Sequence, residues 1–192
     1  MSLRVVGGKL KNRRLHSLSG KITRPTSEKI REAVFNILGE SIEQAYVLDL
    51  YAGSGAIGME ALSRGAQYCV FIENHRDALA IIHKNIHVCQ FEDKSQVISW
   101  DIDHNLDCLR QFHSTFNFVY IDPPYKQTHV LETLTHVADS MCLKNDALII
   151  AEQYSGYDKH NSCLHKTITH VDTRCYSKTQ LLFFRYEERK DI

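Results

Sequence analysis

Tyr46-Val-Leu-Asp-Leu-Tyr-Ala-Gly-Ser-Gly-Ala-Ile-Gly-Met-Glu-Ala-Leu-Ser-Arg64 decides the fold. Tyr46–Tyr51 reads as a compact apolar strand and Ala56–Arg64 as a helix closed by Gly65. Between them runs a turn with glycines at 53, 55 and 58. Such glycines tighten the turn and let a ligand approach the backbone. Alone the spacing is weak, because many strand-to-helix turns need glycine only for packing. Asp49, four residues before Gly53, narrows the reading. A dinucleotide presents its pyrophosphate to the helix start, where a neighbouring carboxylate is unwelcome.

The same rhythm continues outward. Tyr68–Ile72 is a strand. His75–Cys89 is a helix with Leu79, Ile82, Ile86 and Cys89 on one stripe. Gln96–Trp100 is a strand, Ile102–Gln111 helical, Phe116–Ile121 a strand, Val130–Met141 a helix and Ala147–Ala151 a strand. Lys166–Tyr176 and Thr179–Tyr186 are separated only by Ser177-Lys178, which predicts an antiparallel edge hairpin. Alternating strands and helices predict an α/β, Rossmann-like three-layer sandwich with a mostly parallel seven-stranded sheet. On the N-terminal side, Leu3–Val6 and Arg13–Leu15 form a small ribbon interrupted by Gly7-Gly8. Arg24-Pro25-Thr26 then leads into a helix capped by Thr26 and ended by Gly39, with Ile30, Val34, Phe35, Ile37 and Leu38 on its buried face. Residues 1–40 are expected to be an appendage and 41–192 the main domain.

A chain of 192 residues, 43% of them hydrophobic, supports one sizeable core. The net charge is zero, so global charge is silent about partners. Its distribution is not: residues 1–24 carry Arg4, Lys9, Lys11, Arg13, Arg14, Lys21 and Arg24 and no acid. A local tract of this kind can neutralise phosphates. The six cysteines are scattered without Cys-x-x-Cys spacing, as in a reduced, cytoplasmic protein. His83 and His87 stand four apart with no evident third ligand, so no metal is expected. Neither a signal peptide nor a membrane span is expected.

Asp122-Pro-Pro-Tyr125 directly follows the Phe116–Ile121 strand. It places a carboxylate, a rigid carbonyl and an aromatic ring together, which is a clamp for a flat, amino-bearing ring such as a nucleobase. An exocyclic base amine is a poor nucleophile, because its lone pair is delocalised. Two acceptors, the Asp122 side chain and the Pro123 carbonyl, can orient that lone pair and oppose the charge that develops on nitrogen. Pro123 and Pro124 hold the carbonyl in place, and Tyr125 offers a stacking face. Proton loss after transfer suits an aspartate better than abstraction before it. Glu73, at the end of its strand and 20 residues beyond Gly53, can accept both ribose hydroxyls of a nucleoside, with Asn74 bordering the adenine.

With these motifs the chain resembles the class I methyltransferases. More narrowly it resembles the bacterial RsmD family, which methylates the N2 amine of a guanine in small-subunit ribosomal RNA. The resemblance rests on Arg4-Val-Val-Gly-Gly8, Arg24-Pro-Thr26, Arg31-Glu-Ala-Val-Phe-Asn-Ile-Leu38, Asp49–Gly58 with Glu60-Ala-Leu-Ser-Arg64, Glu73, Asp122–Tyr125 and Glu152. It implies S-adenosylmethionine as cofactor and S-adenosylhomocysteine as product. Asp49 and Tyr51 would then lie by its amino-acid part, Gly53 and Gly55 in the turn, Glu73 and Asn74 at the nucleoside, and Asp101 and Ile102 at the adenine, with Asp103 as an alternative acid. It implies 16S ribosomal RNA as partner, in free or ribosomal form, contacted by Arg4, Arg13, Arg14, Arg24, Arg31 and Lys126. Arg24 and Arg31 have a second expected role, anchoring the N-terminal segment to the core. A monomer suffices for such a reaction. Two departures stand out: His75 replaces an acid common in relatives, and no glycine precedes the last strand. The rival readings are an N6-adenine DNA methyltransferase, a non-catalytic RNA-binding or ribosome-assembly protein, and a dinucleotide-dependent oxidoreductase.

Overall fold

The computed structural model describes residues 3–18, 27–124, 129–154 and 164–188. Seven strands lie in these residues: β1 (Tyr46–Leu50), β2 (Tyr68–Glu73), β3 (Ser95–Ser99), β4 (Phe116–Ile121), β5 (Leu143–Tyr154), β6 (Ile168–Tyr176) and β7 (Thr179–Tyr186). Four α-helices accompany them: α1 (Glu28–Leu38), α2 (Ala56–Ser63), α3 (Arg76–Cys89) and α4 (His129–Asp139). The strands form one sheet in the order β3-β2-β1-β4-β5-β7-β6. The pairs β1–β2, β2–β3 and β4–β5 are parallel, and β5–β7 and β6–β7 are antiparallel. This is the Rossmann-like class I methyltransferase arrangement, with its antiparallel hairpin at the C-terminal edge.

The chain folds as two compact units, Met1–Trp100 and Asp101–Ile192. In the first, Val47, Leu48, Leu50, Val70, Phe71 and Ile72 are completely buried. Near-continuous apolar runs are what a parallel strand covered on both faces requires. In the second, Val119, Ile121, Ile149, Ile150, Leu181 and Leu182 form the equivalent core.

Three local expectations are corrected. The cap of α1 is Ser27 rather than Thr26: the Ser27 hydroxyl accepts from the Ile30 amide at 3.2 Å. Residues 102–111 do not form an α-helix, and only a 3₁₀ stretch, Asp107–Phe112, appears. Asp101 Oδ1 accepts from the Asp103 amide at 3.2 Å and Asn105 Oδ1 from the Asp107 amide at 3.0 Å. These short side chains offer the backbone an alternative to helical bonding. Strand β5 starts at Leu143, not Ala147, because a register shift opposite Phe116 and Phe118 absorbs the polar run Lys144-Asn-Asp146. The β6–β7 hairpin turns without glycine, with Ser177 in the left-handed region at φ 56°.

Candidate active site

Asp49 is the fourth residue of β1 and only 2% exposed. Its carboxylate accepts from the Gly58 amide at 3.1 Å, tying the strand to the first turns of α2 and closing the glycine loop. Burial pushes the Asp49 carboxyl up to about 8; the Gly58 bond opposes this shift and the Glu73 charge adds to it. Such a group is poised to favour a bound cation, as the amino-acid part of S-adenosylmethionine would supply. Gly58 is required by close approach: a Cβ there would stand 2.2 Å from Phe71 Cε1 and 2.5 Å from Cys69 Sγ. Tyr51, Gly53 and Gly55 all take positive φ, at 56°, 56° and 72°, so the turn is sharply folded from strand end to helix start.

Glu73 ends β2 and is held by three amides. Its Oε2 accepts from Gly53 at 2.8 Å, and its Oε1 accepts from Asn74 and His75, each at 2.9 Å. The carboxylate therefore braces the glycine turn against the start of α3. Two carboxylate oxygens offer about four acceptor directions and the amides take three, so one remains for a ligand hydroxyl. Asn74 is exposed beside it.

In the second unit Asp101 is exposed, and its Oδ2 lies 3.6 Å from His104 Nε2. The Ile102 side chain is buried, and its carbonyl lies 3.1 Å from His136 Nδ1 on α4. Asp122 and Pro123 follow β4 directly and are half-buried, while Pro124 is exposed. Tyr125 and Lys126 lie outside the described residues. Two residues before Asp122, the buried Tyr120 donates its hydroxyl to Glu152 Oε2 on β5 at 2.7 Å. Tyr120 pairs with Ile150 and Ile121 with Ala151, which brings Glu152 to the register position beside Asp122.

The N-terminal ribbon forms as expected. Arg4 and Arg14 make an antiparallel bridge, and the Val5 and Leu15 amides donate to Arg13 and Leu3 carbonyls, each at 2.9 Å. Arg13 and Arg14 are exposed on it. Arg4 is half-exposed and forked onto Glu28, with Nε and Nη2 each 3.2 Å from a carboxylate oxygen. Arg31 is different: it is fully buried, and its Nη2 donates to the Arg4 carbonyl at 2.7 Å. Its expected phosphate contact is not open to it here; its Nη2 bond ties the ribbon to α1, a contact within the N-terminal segment itself. Arg24 lies outside the described residues. Among the described residues no group of three or more His, Cys, Asp or Glu is arranged to hold a metal, and no helix is long and apolar enough to cross a membrane.

The family model described as "Conserved hypothetical protein 95" matches residues 3–185. "Ribosomal RNA small subunit methyltransferase D" of Escherichia coli (strain K12) is 34% identical over 150 residues, which cover 78% of this chain and 74% of that protein. The protein of the same name from Buchnera aphidicola subsp. Baizongia pistaciae (strain Bp) is 33% identical over 167 residues, 82% of this chain and 79% of its own. The chain belongs to this family. Its fold agrees: the solved structure of "Putative methyltransferase yhhF from Escherichia coli" superposes with a TM-score of 0.84 at 26% identity, covering 97% of this chain and 99% of that one.

Within this family member the structure joins three stretches that the sequence shows only as separate motifs. Glu60 on α2 is completely buried; it accepts from the Val6 amide at 2.7 Å and from Arg64 Nε at 2.8 Å. Ser63 donates to the Gly7 carbonyl at 2.7 Å and accepts from the Leu10 amide at 2.9 Å. Arg64 in turn sits over the Phe35 ring, 5.2 Å from its centroid. Sequence reasoning missed Asn85 and the Tyr120–Glu152 pair. A polar residue at Asn85, amid the apolar stripe of α3, was the available signal.

Proposed function

We propose that the chain transfers a methyl group from S-adenosylmethionine to the exocyclic N2 amine of a guanine in 16S ribosomal RNA. When bound, that cofactor supplies an electrophilic methyl carbon on a sulfonium. Asp49 would bind its ammonium, the Gly53–Gly55 backbone would cradle its amino-acid part, Glu73 would take a ribose hydroxyl, and Asp101 with the Ile102 backbone would meet the adenine. Asp122 and the Pro123 carbonyl accept from the two hydrogens of the target amine, orienting its lone pair and compensating the positive charge that grows on nitrogen. Tyr125 stacks on the base, and the proton leaves after transfer. Arg13 and Arg14 neutralise phosphates, which position the RNA without reading its sequence. Residues 1–40 thus serve as a nucleic-acid-facing appendage to the transferase domain.

The observation that carries this reading is the buried Asp49 carboxylate closing the turn, in a chain whose relatives include proteins named ribosomal RNA small subunit methyltransferase D. A carboxylate so placed favours a cation over a pyrophosphate. The clamp would hold adenine as well as guanine; the relatives' names support ribosomal RNA as acceptor, and the resemblance to the RsmD family supports guanine. The test is incubation with methyl-labelled S-adenosylmethionine and three acceptors: naked 16S RNA, unmodified small subunits and DNA. Digestion to nucleosides should yield N2-methylguanosine from one of the RNA acceptors. N6-methyladenine from DNA, or no transfer to any acceptor, would overturn the reading.

A further inference from the structure

Asn85 is a completely buried polar residue in the middle of α3. Its Oδ1 accepts from the His16 amide at 2.7 Å, and its Nδ2 donates to the His16 carbonyl at 3.0 Å. The same Nδ2 donates to the Ser54 carbonyl at 2.8 Å. One primary amide therefore satisfies both backbone groups of His16, much as a neighbouring strand would, and also holds the turn residue between Gly53 and Gly55. His16 lies directly beyond the ribbon, next to Leu15, whose amide bonds back to Leu3. Other side chains of similar size cannot replace it. An aspartate lacks the two donors, and a leucine would strip hydrogen-bond partners from three backbone groups, each loss costly where water is excluded.

We propose that Asn85 is a positioning residue that latches the N-terminal segment to the cofactor turn, so that ordering one orders the other. The inference rests on the reading that this turn takes S-adenosylmethionine or its product. Ligand resting against Gly53–Gly55 restrains Ser54; through Asn85 that restraint reaches His16 and the ribbon carrying Arg13 and Arg14. Linkage is reciprocal, so an RNA that orders the ribbon tightens cofactor binding by the same factor.

The test measures amide hydrogen exchange at Leu15 and His16 in the full chain, with and without saturating S-adenosylhomocysteine, together with its Kd by calorimetry. In the native chain the ligand should slow exchange at both amides by about tenfold. Asn85→Ser should abolish that slowing and weaken ligand binding by about tenfold. His16→Pro, which removes the amide donor and leaves Asn85 intact, is read at Leu15 alone, where the slowing should also be lost. His16→Ala, which keeps both backbone groups, should retain it. Val137→Ala, a cavity in the buried face of α4, controls for lost stability and should retain both coupling and affinity. Undiminished slowing in Asn85→Ser, or none in the native chain, would overturn the latch. Failure of the native chain to bind S-adenosylhomocysteine at all would instead bring down the cofactor reading, and the latch with it.

Discussion

The carboxylate of Glu60 and the amide of Val6 meet at 2.7 Å across 54 residues of sequence. Glu60 is fully buried and also pairs with Arg64, so one acid fixes the ribbon, α2 and the cation resting on Phe35. Beside it, a Cβ on Gly8 would stand 2.0 Å from the Ser63 carbonyl, at a backbone φ of 72°.

Glu60→Ala should lower unfolding stability by about 3 kcal/mol, since it leaves a partly buried arginine and an amide without their partner. Urea denaturation measures this. Gly8→Ala should lift the ribbon from α2 while the sheet survives. Trypsin would then cut at Lys9 and Lys11 more readily, with little change in far-ultraviolet circular dichroism.

Asp49 should make stability and cofactor binding pH-dependent in opposite senses. Its carboxyl sits at about 8 in the fold, against about 3.9 in an unfolded chain. Between those values the folded state holds the extra proton, so this group's contribution becomes less favourable as pH rises and levels off above the folded value. Asp49→Asn should remove that contribution, seen as the difference between the two stability curves over this range. Ligand binding by the native chain should tighten toward pH 8 with release of a proton, because a bound ammonium favours the ionised form. Calorimetry in buffers of different ionisation heat reads the proton directly, and Asp49→Asn should release none from this site.

Asp122→Ala should lower kcat by about 10²- to 10³-fold, the usual loss when one preorganised partner of a developing charge is removed. The Kd for S-adenosylhomocysteine should stay near the native value, and equal loss of both would make Asp122 structural. Asp122→Asn keeps an acceptor oxygen and should recover part of the rate.

Replacing Arg13 and Arg14 together by alanine should weaken RNA binding and flatten its dependence on salt. Two phosphate contacts correspond to a reduction of about 1.4–1.8 in the slope of log K against log salt. Arg31→Ala should leave that slope unchanged and lower stability instead, because its guanidinium is buried against the Arg4 carbonyl. Filter binding across a salt series distinguishes the two classes of arginine.

Strand β4 coincides with its expected range, Phe116–Ile121, and β7 with Thr179–Tyr186, because each is an apolar run bounded by turn formers. The ribbon was legible from two short apolar pieces around Gly7-Gly8. Residues 102–111 misled because their apolar spacing suits a helix, whereas Asp101 and Asn105 bond locally to the backbone. On the candidate site, Asp49, Glu73 and Asp122 were readable from their places at strand ends. Their partners were not: nothing local predicts that Glu73 braces the Gly53 amide or that Tyr120 donates to Glu152.

Local pattern alone therefore determined the order of the strands, most of the helices and the glycine turn, and singled out Asp122–Tyr125 as a candidate clamp, since periodicity and turn chemistry act over a few residues. Tertiary structure decided which arginines face solvent, which acids are buried and how Asn85 and Glu60 bind distant backbone groups. Those outcomes depend on dense packing between segments far apart in the chain, where burial and a hydrogen-bond partner are set only once the elements meet.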